Sequence, residues 1–285
     1  MTIKEAEAMA GSWICGNCGK PRMEHADTVW CGVRDQSLKF RRVTMPWAGM
    51  MRIKNESRWI AQVIESILPL CQRVFILDDH STDNTVEICQ RYSQVKVWRS
   101  PFKDFSEARD KDWLFDHILA ACQPEWLLTI DGDEVLEKDG ARKLQEFVAA
   151  RPEVDCLSMQ ILYLWDSENQ WRTDGVYGRF WRPSAFKPYN PTFRWMRTDA
   201  AGDLHCASVP WDFIGKGVRC PARIKHYGYI DRDLRLRKYQ WYTSFDPNNQ
   251  SEDCYRHMVQ GDVPEIPAHL KLMHAGPLRL EMFAE

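Results

Sequence analysis

The sequence lacks an excess of charge of either sign, and it lacks long apolar runs. Its 38 basic and 40 acidic residues leave a formal net charge of −2 over 285 residues, which provides little positive field to hold a nucleic acid by its phosphates. No apolar run reaches the roughly 20 residues that a membrane-spanning helix needs, and no secretory signal pattern opens the chain. These absences predict a soluble, cytoplasmic protein without a transmembrane segment and do not indicate nucleic-acid binding.

Two glycine-rich nucleotide-binding motifs are also missing. Neither G-x-G-x-x-G nor G-x-x-x-x-G-K-[ST] occurs anywhere in the chain. The first motif forms the phosphate-binding turn of dinucleotide-binding folds, and the second forms the phosphate loop of P-loop enzymes. Their absence excludes both classes of nucleotide-binding protein. Separately, an apolar content of 44% is ample for a hydrophobic core.

Cysteine is scarce for a disulfide scaffold, with ten in the chain. Three of them, with one histidine, lie close together near the start in the spacing C-x2-C-x6-H-x5-C, namely Cys15, Cys18, His25 and Cys31. This segment resembles a zinc knuckle, in which four such ligands complete a tetrahedral structural Zn²⁺ site. A pair of free or redox-active thiols is the alternative interpretation.

From residue 40 onward the pattern alternates between strands and helices. RVTMPWAGMMRI, RVFILDD, VKVWRS and EWLLTID are typical of strands, and SRWIAQVIESILPL, HSTDNTVEICQRYS and SEARDKDWLFDHILAAC are typical of helices. This alternation predicts an α/β protein with a doubly wound, mostly parallel sheet. Ligands in such sheets bind beyond the carboxyl ends of the strands, where RVFILDD and WLLTIDGDE both place aspartates.

The segment LLTIDGDEVLE ends an apolar run in Asp131, Asp133 and Glu134. Carboxylates are costly to bury together, so we expect a cation or several hydrogen-bond donors beside them. In extended backbone Asp131 and Asp133 point to the same side, and their hard oxygen ligands suit Mg²⁺ or Mn²⁺. A solvated acidic turn is the alternative.

Four ordered segments together resemble family 2 glycosyltransferases, which depend on nucleotide sugars and have the GT-A fold. The resemblance covers roughly residues 45 to 230, about the size of one domain. MRIKNES resembles the end of the family's first strand, ILDDHSTDNT its DDGSTDGT segment, FSEARDK the segment with a donor-facing arginine, and IDGDE its D-x-D motif. His80 stands where glycine is commoner in the family.

The resemblance implies a set of site residues. It assigns donor binding to Arg52, Lys54, Asn55, Glu56, Asp79, Arg109 and Asp131, with Asp79 accepting from the base or ribose. It assigns the metal ion, Mn²⁺ or Mg²⁺, to Asp131, Asp133 and His226, the last of these within RIKHYGYID. A catalytic base is expected near GDLHCASVP, with Asp203 first and His205 second. For Asp203, His205 and His226 a structural role is the alternative.

The segment DRDLRLRKYQWYTSF predicts a basic amphipathic helix with four exposed cations, Arg232, Arg235, Arg237 and Lys238. We interpret them as an ordinary solvated face, with binding of a diphosphate or an acidic acceptor as the alternative. The aromatic-rich stretch from residue 151 predicts an antiparallel extension, in which most tryptophans supply buried area rather than a sugar-stacking surface.

The predicted organisation is a zinc-knuckle appendage at residues 1–38, a GT-A domain at 39–230 and a helical extension at 231–285. Within the GT-A domain, 39–150 is the nucleotide-binding half and 151–230 the acceptor half. The predicted function is metal-dependent, inverting transfer of a sugar from a nucleotide-diphosphate donor, such as a UDP-sugar, to a glycan, lipid or protein acceptor. A non-catalytic sugar- or protein-binding module and a sugar-phosphate nucleotidyltransferase are the alternatives.

Overall fold

The computed structural model describes residues 40–175, 177–196, 206–246, 255–259 and 278–283, together with residues 13–15, 30–31 and 36–37. The strands are β1 (Trp13–Cys15), β2 (Trp30–Cys31), β3 (Gln36–Ser37), β4 (Phe40–Ile53), β5 (Arg73–Asp78), β6 (Val95–Arg99), β7 (Cys122–Thr129), β8 (Glu134–Leu136), β9 (Cys156–Trp165), β10 (Ser167–Arg172), β11 (Trp181–Phe186), β12 (Val218–His226) and β13 (Leu280–Met282). The helices are α1 (Ile60–Ile67), α2 (Thr85–Cys89), α3 (Glu107–Ala121), α4 (Gly140–Ala150) and α5 (Arg232–Phe245).

The amino-terminal half forms the predicted parallel sheet. Strands β6, β5, β4 and β7 lie side by side in that order, and each neighbouring pair is parallel. Alternate residues of β5 enter different cores: Val74 packs in the cluster that contains α1, whereas Phe75 packs in the cluster that contains α3. Because side chains alternate across a strand, these two helices cover opposite faces. The prediction of a doubly wound sheet is confirmed.

The second half adds antiparallel strands to the same sheet. β11 pairs antiparallel with both β7 and β9, and β9 continues through β10 to β13. β12 runs parallel to β9 and antiparallel to the short β8, which follows the acidic segment. The predicted antiparallel and helical extension is therefore present, and it brings β11, β12 and α5 next to the carboxyl end of β7.

Two details of the prediction are wrong. The polar run before Thr85 does not form the first turn of a helix, because Asp78 and Asp83 instead accept hydrogen bonds from Ser81 N–H (3.2 Å) and Ser57 N–H (3.2 Å). Such short polar side chains compete with the helix for backbone amides. Arg235 is not exposed but buried.

The burial of Arg235 has a clear physical reason. Its guanidinium donates to Tyr229 O and to Asp166 Oδ1, both at 2.8 Å, and lies over the Trp165 ring. A planar cation with both edges hydrogen-bonded and one face stacked can leave water without an unpaired charge. Arg235 therefore fixes the start of α5 to the sheet instead of facing solvent.

Within the described ranges, no helix combines the length and the apolar character needed to cross a bilayer. Five cysteines between residues 71 and 220 behave as core residues, since their side chains are buried: Cys71, Cys89, Cys122, Cys156 and Cys220. Of the predicted zinc ligands, Cys18 and His25 lie outside the described residues. Cys15 is the last residue of β1 and Cys31 the last residue of β2, but their side chains are likewise outside the described part. The zinc site therefore stays a prediction.

Candidate active site

Two acidic strand ends flank the carboxyl end of β4. In the parallel register Ile53 of β4 is opposite Asp78 of β5, and Met50 is opposite Thr129 of β7. The backbone N–H of Asp79 donates to Ile53 O at 2.8 Å. The structure therefore brings the aspartates after β5 and the Asp131–Asp133 segment after β7 to one edge of the sheet.

At the β5 end the acidic groups are already paired with nearby cations. Arg52 donates to Asp79 Oδ2 and to Asp110 Oδ2, each at 2.8 Å, and Lys54 Nζ lies 3.4 Å from the same Asp79 oxygen. Arg109 donates to the other oxygen of Asp110 at 3.0 Å. Each of these carboxylates thus has two cationic partners, and Asp79 Oδ1 accepts no hydrogen bond from the described residues.

Two residues at this edge of the sheet lie in the left-handed backbone region, Asn55 (φ 56°) after β4 and His80 (φ 57°) in the turn after β5. Asn55 holds this turn, because its side-chain oxygen accepts from Thr82 N–H at 2.7 Å and its own N–H donates to Ser81 Oγ at 2.9 Å. In the structure these contacts of Asn55 shape the turn beside Asp79, and its role in donor binding stays a prediction.

His80 fixes a second loop. Arg99 Nε donates to His80 Nδ1 at 3.1 Å, so the ring proton lies on Nε2, which contacts Phe102 O at 2.7 Å. The imidazole therefore links the β5 turn to the loop before α3, where Phe102 stacks on Arg109.

Glu56 belongs to the β7 end of the site rather than to the β5 end. Its backbone N–H donates to Thr85 Oγ1 at 2.8 Å, and its side chain packs so tightly against Gly132 that a Cβ there would lie 2.7 Å from Glu56 Cγ. Burial, reinforced by the charge of Asp133, raises the pKa of Glu56 to about 9. Glu56 is consequently protonated at neutral pH and can donate a hydrogen bond beside the acidic segment.

Asp131 and Glu134 share one arginine of β11. Arg182 contacts Asp131 Oδ2 at 3.3 Å and donates to Glu134 Oε2, which also accepts from Asp131 N–H at 3.0 Å. Glu134 is fully buried, and burial raises its pKa to about 7 although Arg182 opposes this. The Asp131 side chain, by contrast, is 47% exposed, so one carboxylate of the acidic segment is open to solvent.

Asp133 is buried and paired with a lysine from α5. Lys238 Nζ lies 2.8 Å from Asp133 Oδ2, and His226 Nε2 lies 3.8 Å from Asp133 Oδ1. Burial opposes ionisation of Asp133, but the Lys238 ammonium outweighs it and holds the pKa of Asp133 well below its usual range. Burial lowers the pKa of His226 to about 4, which leaves a neutral imidazole.

Gly228 provides the space for this convergence. A Cβ at Gly228 would lie 2.2 Å from Lys238 Nζ, 2.3 Å from Asp133 Oδ2 and 2.5 Å from His226 Cε1. Real Cβ atoms do not come this close to other atoms, so only glycine allows the three groups to meet here.

The residues at the β7 end include side chains that can bind a divalent cation, but these side chains are not arranged around a common point. No group of three His, Cys, Asp or Glu side chains in the described part of the chain is arranged to hold a metal ion. The available groups nevertheless fit Mn²⁺ or Mg²⁺, because one open carboxylate, one ionised buried carboxylate and a neutral imidazole are all suitable ligands. Lys238 Nζ contacts Oδ2 of Asp133, whereas His226 Nε2 lies nearest the other oxygen, Oδ1.

Sequence reasoning expected positive charge beside the acidic segment but did not identify its source. Arg182 comes from β11 and Lys238 from α5, and neither has a local motif that marks it. The expected bases, Asp203 and His205, lie outside the described residues, so their roles stay predictions.

Comparison with known proteins identifies the family. The sequence profile of glycosyl transferase family 2 matches residues 50–206. An uncharacterized glycosyltransferase of Rickettsia conorii is 27% identical over 218 residues, covering 71% of this chain and 68% of that protein. The lipopolysaccharide core biosynthesis glycosyltransferase LpsC of Rhizobium meliloti is 27% identical over 114 residues, covering 39% of this chain and 40% of LpsC.

The matches cover these proteins to different extents. The aligned region spans 68% of the R. conorii protein but 42% of a Rickettsia bellii relative. Among solved structures, S. aureus TarS aligns with a TM-score of 0.40 and 16% identity over 50% of this chain and 28% of TarS, and no donor or acceptor follows from similarity at this level. The family match covers more than half of the chain, which therefore belongs to glycosyl transferase family 2 and is a glycosyltransferase.

Proposed function

We propose that this glycosyltransferase depends on a divalent cation, Mn²⁺ or Mg²⁺, and moves a sugar from a nucleotide-diphosphate donor, a UDP-sugar, to an acceptor hydroxyl with inversion. The observation that carries the proposal is the pair of acidic strand ends beside β4, one with a buried, ionised Asp133 and an open Asp131. Family membership supports sugar transfer, and the charge arrangement supports a donor that carries a diphosphate.

The β5 end is the proposed nucleotide site. Arg52 and Lys54 hold Asp79 through its Oδ2 atom, so Asp79 Oδ1 is oriented to accept from the base or ribose. Asp110 holds the guanidinium of Arg109 at 3.0 Å, next to the stacked ring of Phe102. These contacts restrict the side chains before binding, which reduces the entropy lost when the donor binds.

The β7 end is the proposed diphosphate and metal site. Asp131, Asp133 and the neutral His226 would hold the ion, which when bound stabilises the charge that develops on the leaving diphosphate. Arg182 orients Asp131 from one side, and protonated Glu56 can donate a hydrogen bond from the other. Since these groups are buried or paired, they need little reorganisation when charge develops.

The acceptor side and the amino-terminal segment stay predictions. An inverting transfer needs a base that removes the acceptor hydroxyl proton, and Asp203 is the first candidate and His205 the second. The structural zinc at Cys15, Cys18, His25 and Cys31, the division at residues 38 and 230, and the cytoplasmic location are also proposals that rest on sequence alone. The glycan, lipid or protein nature of the acceptor is open to experiment.

Asp133→Asn provides the test. We expect hydrolysis of a panel of UDP-sugars with Mn²⁺ to fall by about 100-fold or more, because a neutral amide is a poor ligand and adds no charge. The chain should stay folded, since Lys238 is 29% exposed and can turn toward water. Asp155→Asn makes the same chemical change at an exposed aspartate paired with Lys187 and should leave hydrolysis unchanged.

Two outcomes would contradict the proposal. Wild-type hydrolysis rates in Asp133→Asn would remove the metal site from the acidic segment. A wild-type chain that neither binds nor hydrolyses any UDP-sugar would contradict the proposed donor.

A further inference from the structure

Helix α5 places an ammonium group on Asp133, a buried carboxylate of the site. Lys238 Nζ lies 2.8 Å from Asp133 Oδ2 and within 5.3 Å of the centre of the Tyr229 ring. The short contact makes the two groups an ion pair, with Lys238 as the cation. This cation sits where the proposed function needs positive charge.

The surrounding residues are built to hold the amine there. Asp231 caps the start of α5 by accepting from Leu234 N–H at 2.8 Å, and Arg235 anchors the first turns to Tyr229 O and Asp166. Gly228 leaves the space in which Nζ meets Asp133. The helix and the glycine therefore determine the position of the amine together.

The same helix also contacts the β5 end. Trp241, one turn after Lys238, packs edge to face on Phe105 with 5.6 Å between ring centroids, and Phe105 in turn lies 4.8 Å from the Arg52 guanidinium. One face of α5 thus touches both the proposed diphosphate site and the residues beside the proposed nucleotide site. A ligand that spans the two strand ends would lie next to this face.

A divalent ion that binds Asp133 would lie close to the Lys238 ammonium, because Nζ is only 2.8 Å from Oδ2, and the two like charges would repel each other. The amine stands on a flexible stem of four carbons, so the repulsion can move it away from Asp133. The nearest new partner for an ammonium group is then the diphosphate that the ion brings with it. Lys238 would lose one anionic partner and gain another without leaving the crevice.

We propose that Lys238 is a diphosphate-binding residue of this chain, which neutralises Asp133 before the donor binds and donates to the donor's diphosphate when Asp133 holds a divalent cation. This inference rests on the proposed function, and it adds a residue that the family match does not reach, because that match ends at residue 206.

The proposal predicts opposite effects on two binding constants. In Lys238→Met, Mn²⁺ alone should bind about tenfold more tightly, because the competing amine is gone. Uridine diphosphate with saturating Mn²⁺ should bind about tenfold more weakly, because one charge-assisted hydrogen bond is lost. Both constants can be measured by isothermal titration calorimetry, without turnover.

Three variants separate this exchange from a general loosening of α5. Lys238→Arg keeps the charge and should retain most of the nucleotide affinity. Trp241→Ala loosens the contact with Phe105 but keeps the amine, and should leave the affinity for Mn²⁺ alone unchanged. Lys138→Gln removes an exposed lysine of the segment after β8 and should change neither constant, which controls for net charge.

The outcomes separate the two proposals. If wild type binds uridine diphosphate with Mn²⁺ and Lys238→Met binds it equally well, the role of Lys238 is overturned while the proposed function stands. Weaker binding of Mn²⁺ alone by Lys238→Met would also overturn the exchange. If Mn²⁺ alone binds neither chain, the nucleotide measurement decides, and failure of wild type to bind uridine diphosphate with Mn²⁺ would overturn the proposed function itself.

Discussion

The two acidic strand ends look alike in sequence but differ in the origin of their partners. At the β5 end, Asp79 is paired with Arg52, 27 residues away. At the β7 end, Asp131 is paired with Arg182, 51 residues away, and Asp133 with Lys238, 105 residues away. The first set of contacts lies within the parallel half of the sheet, whereas the second assembles only when the antiparallel strands and α5 have packed.

The two strand ends also differ in the number of cations that pair with each carboxylate. Asp79 and Asp110 each have two cationic partners. Glu134 has Arg182 as its one cation among the described residues, and its Oε1 atom is buried without a hydrogen-bond partner. Loss of one arginine should therefore cost more at the β7 end than at the β5 end.

Arg182→Met tests this difference most strongly. At pH 8, above the pKa of Glu134 of about 7, we expect the free energy of unfolding to fall by about 3 to 5 kcal/mol, the usual cost of leaving a buried charge without its partner. Arg52→Met is the matched change at the β5 end and should cost only about 1 to 2 kcal/mol, since Lys54 and Arg109 remain. Urea unfolding measures both values, and equal costs would show that redundancy does not distinguish the two ends.

The pH dependence of stability should also come from the β7 end. The pKa of Glu134 is raised from 4.5 to about 7, so between these values the folded chain binds more protons than the unfolded chain. Stability contributed by this group is full below about pH 4.5 and is lost as the pH rises through about 7. Relative to Glu134→Gln, wild type should lose on the order of 2 kcal/mol across this window.

Urea unfolding at a series of pH values measures that difference. Glu56, whose pKa is also raised, contributes in both chains and cancels in the comparison. Parallel stability curves for wild type and Glu134→Gln would mean that Glu134 does not titrate in this range.

Lys54→Met should have the smallest effect on stability. Lys54 is 53% exposed and lies 3.4 Å from Asp79, and exposed ion pairs of this kind contribute about 1 kcal/mol or less. Thermal unfolding in low and high salt checks this, because screening should remove the difference. A loss of several kcal/mol would make the β5 end as dependent on single cations as the β7 end.

The sequence predicted those parts of the protein that depend on local pattern. Alternating apolar segments predicted the parallel strands and the flanking helices, and the aspartates after RVFIL and WLLTI predicted which edge carries the site. The GT-A type of fold is confirmed, as is the family. These features follow from periodicity and from short motifs, which a single sequence contains in full.

Contacts between distant segments could not be predicted in the same way. The sequence of the basic helix α5 indicates a solvated face, because no motif in it shows which groups its cations contact, yet the fold buries Arg235 and places Lys238 on Asp133. Gly228 has no signal of its own either, since its importance comes from three side chains that meet only in the folded chain. The sequence indicated that positive charge should lie near Asp133, but no local pattern identified the distant residue that supplies it.

His80 combines an unfavourable backbone conformation with favourable side-chain contacts. A left-handed backbone costs a side-chain-bearing residue roughly 1 to 2 kcal/mol, which the contacts with Arg99 and Phe102 O offset. Glycine would relax the turn and at the same time free the loop that carries Phe102 and Phe105. A change that makes the β5 turn easier to form would therefore remove the contacts that hold Phe102 and Phe105 beside the site. At residue 80, an unstrained turn and an ordered aromatic loop exclude each other.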